Sequence, residues 1–537
     1  MALAGGVELA GGVALAGGVE LAGALLLPLA LPRAAAAQSA ALLPPTDPAY
    51  AHLLVLERAG LAPRGLQGVG PVSEARAAWV ARDARALLAA AGGLSGARRA
   101  DALAAVEALE ARFGSGGPRG LVEVEGSLGR SPGRGVPDTE LGSLDVVVNP
   151  LAAPVGGRPL GDELGAAAAA RVALPLGSRF AVSVGARADA SRFGGEAPGR
   201  QGAAVEVLSA RAVVRRVAFE VGRSYLQGGL AEGEGLVLGP ALPPLDMVRV
   251  ATDRPLALHV LGDLDFQLFA ADLGEAQTFP HAKLFGWILG SEPRPGTRIQ
   301  VTLLSKQGGE GAPGASLALR LKDVTWVGEW LWPEEKNFSD KYAGVGLRSR
   351  LGAVEILAEA ALTDVNRRLP CHTFRDAAAY RVGVAVPAWG PGGRHALRLE
   401  GVVTGPHVYR HQPFRTGAAV DGYPQGNGVG PDGRGLHLVH RFSAPALGWR
   451  TETVVSLEER SADDLGRSPF EEDALVLLQD RAEEVRLRAV ASVVRELAAG
   501  RGGIRLTLGA ERVRGFGFEE GARRWNRVAR VGLWCAL

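Results

Sequence analysis

From about residue 119 to its end, the chain alternates between apolar and polar positions. The segment 485–493 shows the pattern, with apolar side chains at Val485, Leu487, Ala489, Ala491 and Val493 and polar ones at Arg486, Arg488 and Ser492. Segment 394–404 repeats it, with His395, Leu397, Leu399 and Val403 opposite Arg394, Arg398, Glu400 and Thr404. Because successive side chains of a strand point to opposite faces, this period of two predicts β-strands.

Ahead of the strands, the period is helical. Capping side chains at Thr46-Asp47-Pro48, Ser73 and Ser95 predict the starts of three helices. Gly92-Gly93 predicts the end of the second helix. A glycine-rich linker at 114–120 separates this small helical unit from the strands.

The strand region contains no second run of helices that could cover a sheet. A sheet of such length must curl or split, and full closure removes its unpaired edges. One face of the strands is charged and the other is rich in Ala, Val and Leu. This distribution favours a transmembrane barrel with lipid outside and a wet lumen inside, while a soluble array of β-sandwiches stays open as the other interpretation.

The first residues predict an export signal. Residues 3–22 repeat a hexapeptide, and the apolar stretch 21–31 is followed by Arg33 and the run 34–37 of alanines. This order matches the hydrophobic region and small-residue cleavage site of a secretory signal peptide, with cleavage after Ala37. Two glutamates in the repeat depart from the basic residues usual at this place.

Composition narrows the class of protein further. The formal net charge is +2 with both signs scattered, so no basic stripe predicts a nucleic-acid partner. The two cysteines, Cys371 and Cys535, are too few for a disulfide framework or a cysteine-based metal site, and the sequence leaves open whether they pair.

Several segments with characteristic glycine, proline and aromatic spacings carry a resemblance to a known family. They are 47–50, 56–61, 109–113, 219–225, 233–239, 243–244, 247–250, 264–269, 283–286, 411–417, 422–426 and 430–432. Together they resemble the Wzi-type capsule-assembly outer-membrane proteins. The resemblance implies a mainly β fold, a large antiparallel transmembrane barrel of roughly 16–18 strands preceded by a small α-helical bundle. It also implies lectin-like attachment of capsular or other surface polysaccharide at the cell surface, without catalysis.

The expected organisation is a signal peptide at 1–37, a periplasmic helical domain at 38–118 and an outer-membrane barrel at 119–537. The expected location is the bacterial outer membrane. Expected partners are surface or capsular polysaccharide, outer-membrane lipids, lipopolysaccharide and the barrel-assembly machinery. No nucleic acid, cofactor, metal or enzymatic activity is expected. Two other functions stay open, namely a channel for small polar or sugar solutes, because charged inner faces can line a pore, and a soluble periplasmic or secreted β protein.

Two aromatic groups are candidates for glycan contact. Trp326, Trp330 and Trp332 alternate on a predicted strand beside carboxylates, where they would serve equally as membrane-interface residues. Tyr409, His411 and Tyr423 lie in a loop rich in glycine and proline. The residues predicted to bind polysaccharide are Trp330, Trp332, Tyr409, His411 and Tyr423.

Four motifs suggest other chemistry but lack its structural context. A G-x-G-x-x-G pattern at 428–433 has a loop before it and a strand pattern after it, so a turn is predicted. A G-x-S-x-G pattern at 129–133 is followed by proline and glycine, which disfavour the helix of a nucleophile elbow. The pairs His407/His411 and His437/His440 have helical metal-site spacing but lie on strands or loops. The acidic segment 463–473 is interpreted as a solvated loop, with cation binding as its alternative.

Overall fold

The computed structural model describes residues 39–537 except 64–65, 67, 91–93, 95, 115–118, 131–133, 141, 149–150, 152–163, 178, 192–199, 231–234, 326–338, 364–372, 468–474 and 498–499. Its helices are α1 (Ala49–Ala59), α2 (Glu74–Ala90), α3 (Gly96–Phe113), α4 (Leu317–Thr325) and α5 (Thr373–Asp376). The predicted signal peptide at 1–37 lies outside the described residues.

The long strands, in chain order, are β1 (Arg119–Arg130), β2 (Leu164–Pro175), β3 (Phe180–Ser191), β4 (Arg200–Val214), β5 (Val217–Ser224), β6 (Leu245–Thr252, continued by Leu256–Leu258), β7 (Gly262–Asp272), β8 (Lys283–Arg294), β9 (Thr297–Gln307), β10 (Ser339–Leu351), β11 (Val354–Thr363), β12 (Ala378–Trp389), β13 (His395–Thr404), β14 (Gly433–Ala444), β15 (Trp449–Arg460), β16 (Glu484–Leu497), β17 (Gly502–Arg514) and β18 (Arg523–Ala536). Three short hairpins lie in the loops: Arg134–Gly135 with Val147–Val148, Ala419–Val420 with Tyr423–Pro424, and Asp464–Arg467 with Leu475–Gln479. Two 3₁₀ turns are Pro391–Gly393 and Pro445–Leu447.

The strands form one closed antiparallel barrel of 18 strands. Each long strand pairs with the next one along the chain, and β1 closes the sheet by pairing with both β2 and β18. In the closing register Leu121 lies opposite Ala536 and Arg130 opposite Arg527. The predicted large antiparallel barrel is therefore confirmed, and closure leaves no sheet edge for aggregation.

The barrel is apolar outside and charged inside. On β12, Val382 is 63% exposed whereas the neighbouring Arg381 is 1% exposed. On β16, Leu487 is 54% exposed and Arg486 is 2% exposed. A soluble protein buries its apolar side chains, so this inverted distribution indicates a lipid environment around the barrel.

The N-terminal helices form a small bundle with its own core, here called the helical unit (residues 39–113). Two of the three predicted caps are present, because Asp47 Oδ1 accepts a hydrogen bond from the backbone N–H of Ala49 and Ser73 Oγ accepts one from the backbone N–H of Arg76. The predicted cap Ser95 and the predicted helix end Gly92-Gly93 lie outside the described residues. Leu53, Val80 and Leu109 are among its buried core residues. Among the described residues, no helix is long and apolar enough to cross a membrane.

The two ends of the barrel differ. At the end where β1 begins, the connections are short, such as 215–216 between β4 and β5 and 352–353 between β10 and β11. At the other end they are long, and the loop 405–432 between β13 and β14 is an example. Short periplasmic turns and long external loops are typical of outer-membrane barrels, so we refer to the end that carries the helical unit as the periplasmic end.

Candidate polysaccharide-binding site

The helical unit closes the periplasmic end of the lumen through ion pairs with the barrel wall. Glu57 on α1 lies 2.9 Å from Nη1 of Arg348 on β10. Arg76 on α2 lies 3.1 Å from Asp265 on β7. Asp101 on α3 lies 2.6 Å from Arg394, which precedes β13. Contacts to well-separated strands therefore hold the unit across the end of the barrel.

The loop 405–432 folds into the outer mouth, where it forms what we call the outer plug. Tyr409 is 3% exposed, and its hydroxyl donates to the carbonyl of Leu236 at 2.5 Å and accepts from the N–H of Asn427 at 3.2 Å. Burial raises the pKa of Tyr409. Lys306 at the end of β9 donates to Thr416 Oγ1 at 2.9 Å and to the carbonyl of Gly417 at 2.8 Å. Both side chains stabilise a fixed conformation of the plug.

His411 and Tyr423 lie in the same plug and are both half-buried. His411 Nδ1 accepts from the N–H of Phe414 at 3.1 Å, and Tyr423 lies in the short hairpin with Ala419–Val420. The exposed side chain of Gln412 follows His411 and donates to the carbonyl of Glu140 at 2.7 Å. The predicted contact residues Trp330 and Trp332 lie outside the described residues, and the three predicted loop residues all belong to the outer plug.

A second segment of the outer loops packs against the plug. Arg410 donates to Thr139 Oγ1 at 2.6 Å, and burial lowers the pKa of Arg410 to about 10 against the attraction of Asp432 and Asp138. Arg415 and Asp138 form an exposed ion pair at 3.2 Å. The mouth therefore presents a polar surface on a rigid base.

The loop 225–244 connects the helical unit and the outer plug inside the lumen. The loop 225–244 between β5 and β6 dips inward, and the N–H of Gly229 donates to the carbonyl of Gly68 in the helical unit at 2.9 Å. Leu236 of the same loop is fully buried beside Tyr409. In the described part of the chain, this side of the lumen is filled from mouth to base.

On the opposite side a cavity of about 700 Å³ stays open between the closures. Its base is formed by side chains of α1 between Tyr50 and Arg58, its outer side by Gly426–Val429 of the plug, and its wall by strands β10, β12–β18 and β1. Ten arginines and five glutamates contribute to its lining. This cluster has no signal in the sequence, because its members lie far apart along the chain on separate strands.

The histidine pair 437/440 and the glycine motif 428–433 lie on a strand and in a loop, as the sequence predicts. His437 and His440 lie on β14 at odd spacing, so His437 lines the cavity while His440 points outward to within 3.1 Å of His395. The 428–433 motif leads from the plug into β14 without a helix. Residues 131–133 of the G-x-S-x-G pattern, Cys371 and part of the acidic segment lie outside the described residues. Among the described residues, no group of three or more metal-ligating side chains converges.

A closed barrel with an apolar exterior, short turns at one end and folded loops at the other defines a bacterial outer-membrane β-barrel protein. The sequence matches the family described as "Capsule assembly protein Wzi" over residues 155–473, more than half of the chain. The chain therefore belongs to the Wzi family of capsule assembly proteins, which confirms the predicted family and the predicted class.

The chain is similar to several solved structures. Wzi from Escherichia coli, described as an outer membrane protein involved in group 1 capsule assembly and a carbohydrate-binding β-barrel, is 14% identical with a TM-score of 0.64, covering 93% of this chain and 99% of that one. OccD3 (OpdP) of Pseudomonas aeruginosa is 9% identical with a TM-score of 0.45, covering 78% and 91%. OccK5 (OpdH) of the same organism is 10% identical with a TM-score of 0.43, covering 78% and 98%. No curated protein sequence matches the chain.

Proposed function

We propose that this protein binds capsular or other surface polysaccharide at the outer mouth of the barrel and anchors it to the cell surface, without catalysis. The observation that carries the proposal is the construction of the mouth. Tyr409 and Lys306 hold the outer plug as a fixed platform instead of leaving a pore entrance. Membership of a capsule-assembly family supports the same function.

Contact with a long glycan would be multivalent. The rings of His411 and Tyr423 are half-buried in the outer plug, and Gln412 and Arg415 are exposed polar residues that follow His411 in the chain. Tyr409 positions this surface, since its hydroxyl is already used within the plug. Trp330 and Trp332 remain proposed contacts. Weak contacts of this kind add up along a polymer by avidity.

The remaining partners follow from the barrel itself. The exposed apolar band would contact outer-membrane lipids and lipopolysaccharide, and a signal peptide at 1–37 would deliver the chain to the periplasm for insertion by the barrel-assembly machinery. The helical domain at 38–118 would stay at the periplasmic face. The channel alternative needs a continuous open lumen. Inside this lumen the loop 225–244 contacts the helical unit through Gly229 and Gly68.

The test replaces both candidate rings at the mouth. The His411→Ala, Tyr423→Ala double variant should release polysaccharide from cells into the medium, reducing the cell-bound fraction several-fold, because two contacts of an avidity-based site are lost. The matched control is Phe219→Ala, which removes a ring from the lipid face of β5.

Cell-bound polysaccharide is measured alongside the amount of heat-modifiable protein in the outer membrane. Unchanged retention in the double variant, at equal protein level, would remove these two residues from the proposed site. Unchanged retention of polysaccharide in a strain that lacks the protein would contradict the proposed function.

A further inference from the structure

The cavity between the helical unit and the outer plug carries an excess of positive charge. Its ten arginines outnumber its five glutamates, and neither lysine nor aspartate contributes to its described lining. Most of the glutamates are already occupied: Glu458 pairs with Arg488 and lies 3.5 Å from Arg460, and Glu400 lies 3.4 Å from Arg398. Three further arginines of the lining, Arg348, Arg381 and Arg450, pair with Glu355, Glu359 and Glu496 just outside it. Glu458 is shared between two arginines and Arg505 has no such partner, so the cavity wall keeps a small excess of positive charge.

This excess is concentrated near the base of the cavity. Arg505 on β17 makes neither a hydrogen bond nor an ion pair to any residue in the described part of the chain. Arg450 lies two strands away in the same register row, because both residues pair with Val494. Arg530 on β18 is the third member, and it lies 3.7 Å from Glu125. We call these three residues the arginine triad.

Arg450 pairs with Glu496 at 2.6 Å and Arg530 donates to the carbonyl of Leu151 at 3.1 Å, yet other polar atoms of the triad and its surroundings are unused. Nε of Arg450, Nε of Arg530 and Oγ of Ser443 are buried without a hydrogen-bond partner among the described residues. Arg505 lies close enough to the other two arginines for mutual repulsion. Like charges and unsatisfied donors in a space of low polarity are costly, and an anionic ligand relieves both.

We propose that this cavity binds a carboxylate-bearing saccharide, with the arginine triad holding the carboxylate. Guanidinium groups match the planar carboxylate with paired hydrogen bonds. Sugar hydroxyls would meet Ser443, Ser492 and Thr507 of the wall and Asn427 of the plug. A volume of about 700 Å³ lies within the range of small-ligand pockets. A chain end or side branch of an acidic polysaccharide fits such a space, whereas a continuous backbone does not.

This proposal rests on the proposed function and gives it a substrate class, a polysaccharide containing uronic acids or other carboxylated sugars. It also separates two roles within one molecule. The mouth would hold the polymer by many weak contacts, while the lumen would select for negative charge.

The experiment measures binding of trigalacturonic acid to the purified full-length protein in detergent by titration calorimetry. The neutral probe of equal size is the trimethyl ester of the same trisaccharide. The acid should bind, the ester should bind at least tenfold more weakly, and added salt should weaken binding of the acid.

Arg505→Gln is the informative variant, because replacing a side chain without protein partners preserves the wall. It should weaken binding of the acid about tenfold or more. Arg85→Gln, on the solvent face of α2, is the matched control and should leave binding unchanged. Retained heat modifiability of both variants shows that the barrel is folded.

Equal binding of acid and ester, or equal binding by Arg505→Gln and the unmodified protein, would overturn the lumenal site. The absence of any trigalacturonate binding would overturn it as well. Cell-surface retention of polysaccharide, measured in parallel, distinguishes this failure from failure of the proposed function, because retention can persist when the lumenal site is absent.

Discussion

At the scale of single residues, the lumen is held together by carboxylates shared between two cations. Asp265 on β7 is 1% exposed and lies 3.1 Å from Arg76 of the helical unit and 3.2 Å from Arg298 on β9. Thr252 Oγ1 donates to the same carboxylate at 3.1 Å. Asp265 therefore links β7 to β9 and to α2. Its loss leaves two guanidinium groups without their charge partner.

Asp265→Asn should destabilise the folded barrel by about 3–5 kcal/mol, because the partners of a broken buried ion pair stay buried. The control is Asp246→Asn, whose ion pair with Arg223 is largely exposed and should be worth about 1 kcal/mol or less. Urea titration of the fast-migrating folded band on unboiled gels gives both values. Equal losses in the two variants would show that the lumenal network is no stronger than a surface pair.

At the scale of elements, the helical unit is docked onto the wall by contacts that depend on charge state. His52 on α1 is buried with Nε2 3.4 Å from Glu496 on β16, and Glu496 also lies 2.6 Å from Arg450. Burial lowers the pKa of His52 to about 4, since Arg450 already neutralises much of the opposing attraction of Glu496. The helix is therefore docked with a neutral histidine.

Lowering the pH should loosen α1. The histidine of a detached helix has its usual pKa of about 6.5. Between pH 6.5 and 4 the detached state therefore binds a proton that the docked state does not bind. Docking stability is complete above pH 6.5 and decreases as the pH falls, by about 2 kcal/mol between pH 7 and 5.

Hydrogen–deuterium exchange of residues 49–59, corrected for intrinsic rates, should report this loss of protection. His52→Gln removes the titrating group, so its protection should vary much less over the same pH interval. Parallel pH dependence in the variant and the unmodified protein would assign the effect to another group.

At the scale of the whole molecule, closure of the barrel and closure of the lumen have different causes. The sheet closes because every strand edge finds a partner, including β1 with β18. The lumen closes because the helical unit enters from the periplasmic end and the loops 225–244 and 405–432 enter from the other. The result is a membrane-spanning body with a platform at its outer mouth and a small charged cavity within.

In planar bilayers the full-length protein should conduct much less than an open-lumen porin of similar strand number, because the two closures meet at Gly68 and Gly229. The same preparation should migrate faster unboiled than boiled, as a folded barrel does. A conductance equal to that of the open porin would favour the channel alternative, and the absence of a mobility shift would contradict the barrel.

The sequence by itself determined the elements and their sidedness. The period of two along β16 separates Leu487 from Arg486, and the caps Asp47 and Ser73 begin their helices as predicted. These features depend on residues a few positions apart along the chain, so the sequence alone predicts them. His411 and Tyr423 were predicted together because one loop contains both, and their contact with polysaccharide stays a prediction.

Only the tertiary structure decided the closing strand count, the burial of Tyr409 and the position of the arginine triad. Tyr409 reads from the sequence as an accessible loop aromatic, yet its partner Leu236 comes from a loop 173 residues away. Arg450, Arg505 and Arg530 belong to separate strands, and register alone brings them to one wall of the cavity. Side chains that meet through strand pairing or loop insertion leave no periodic trace in the sequence, because their contacts depend on how the sheet closes.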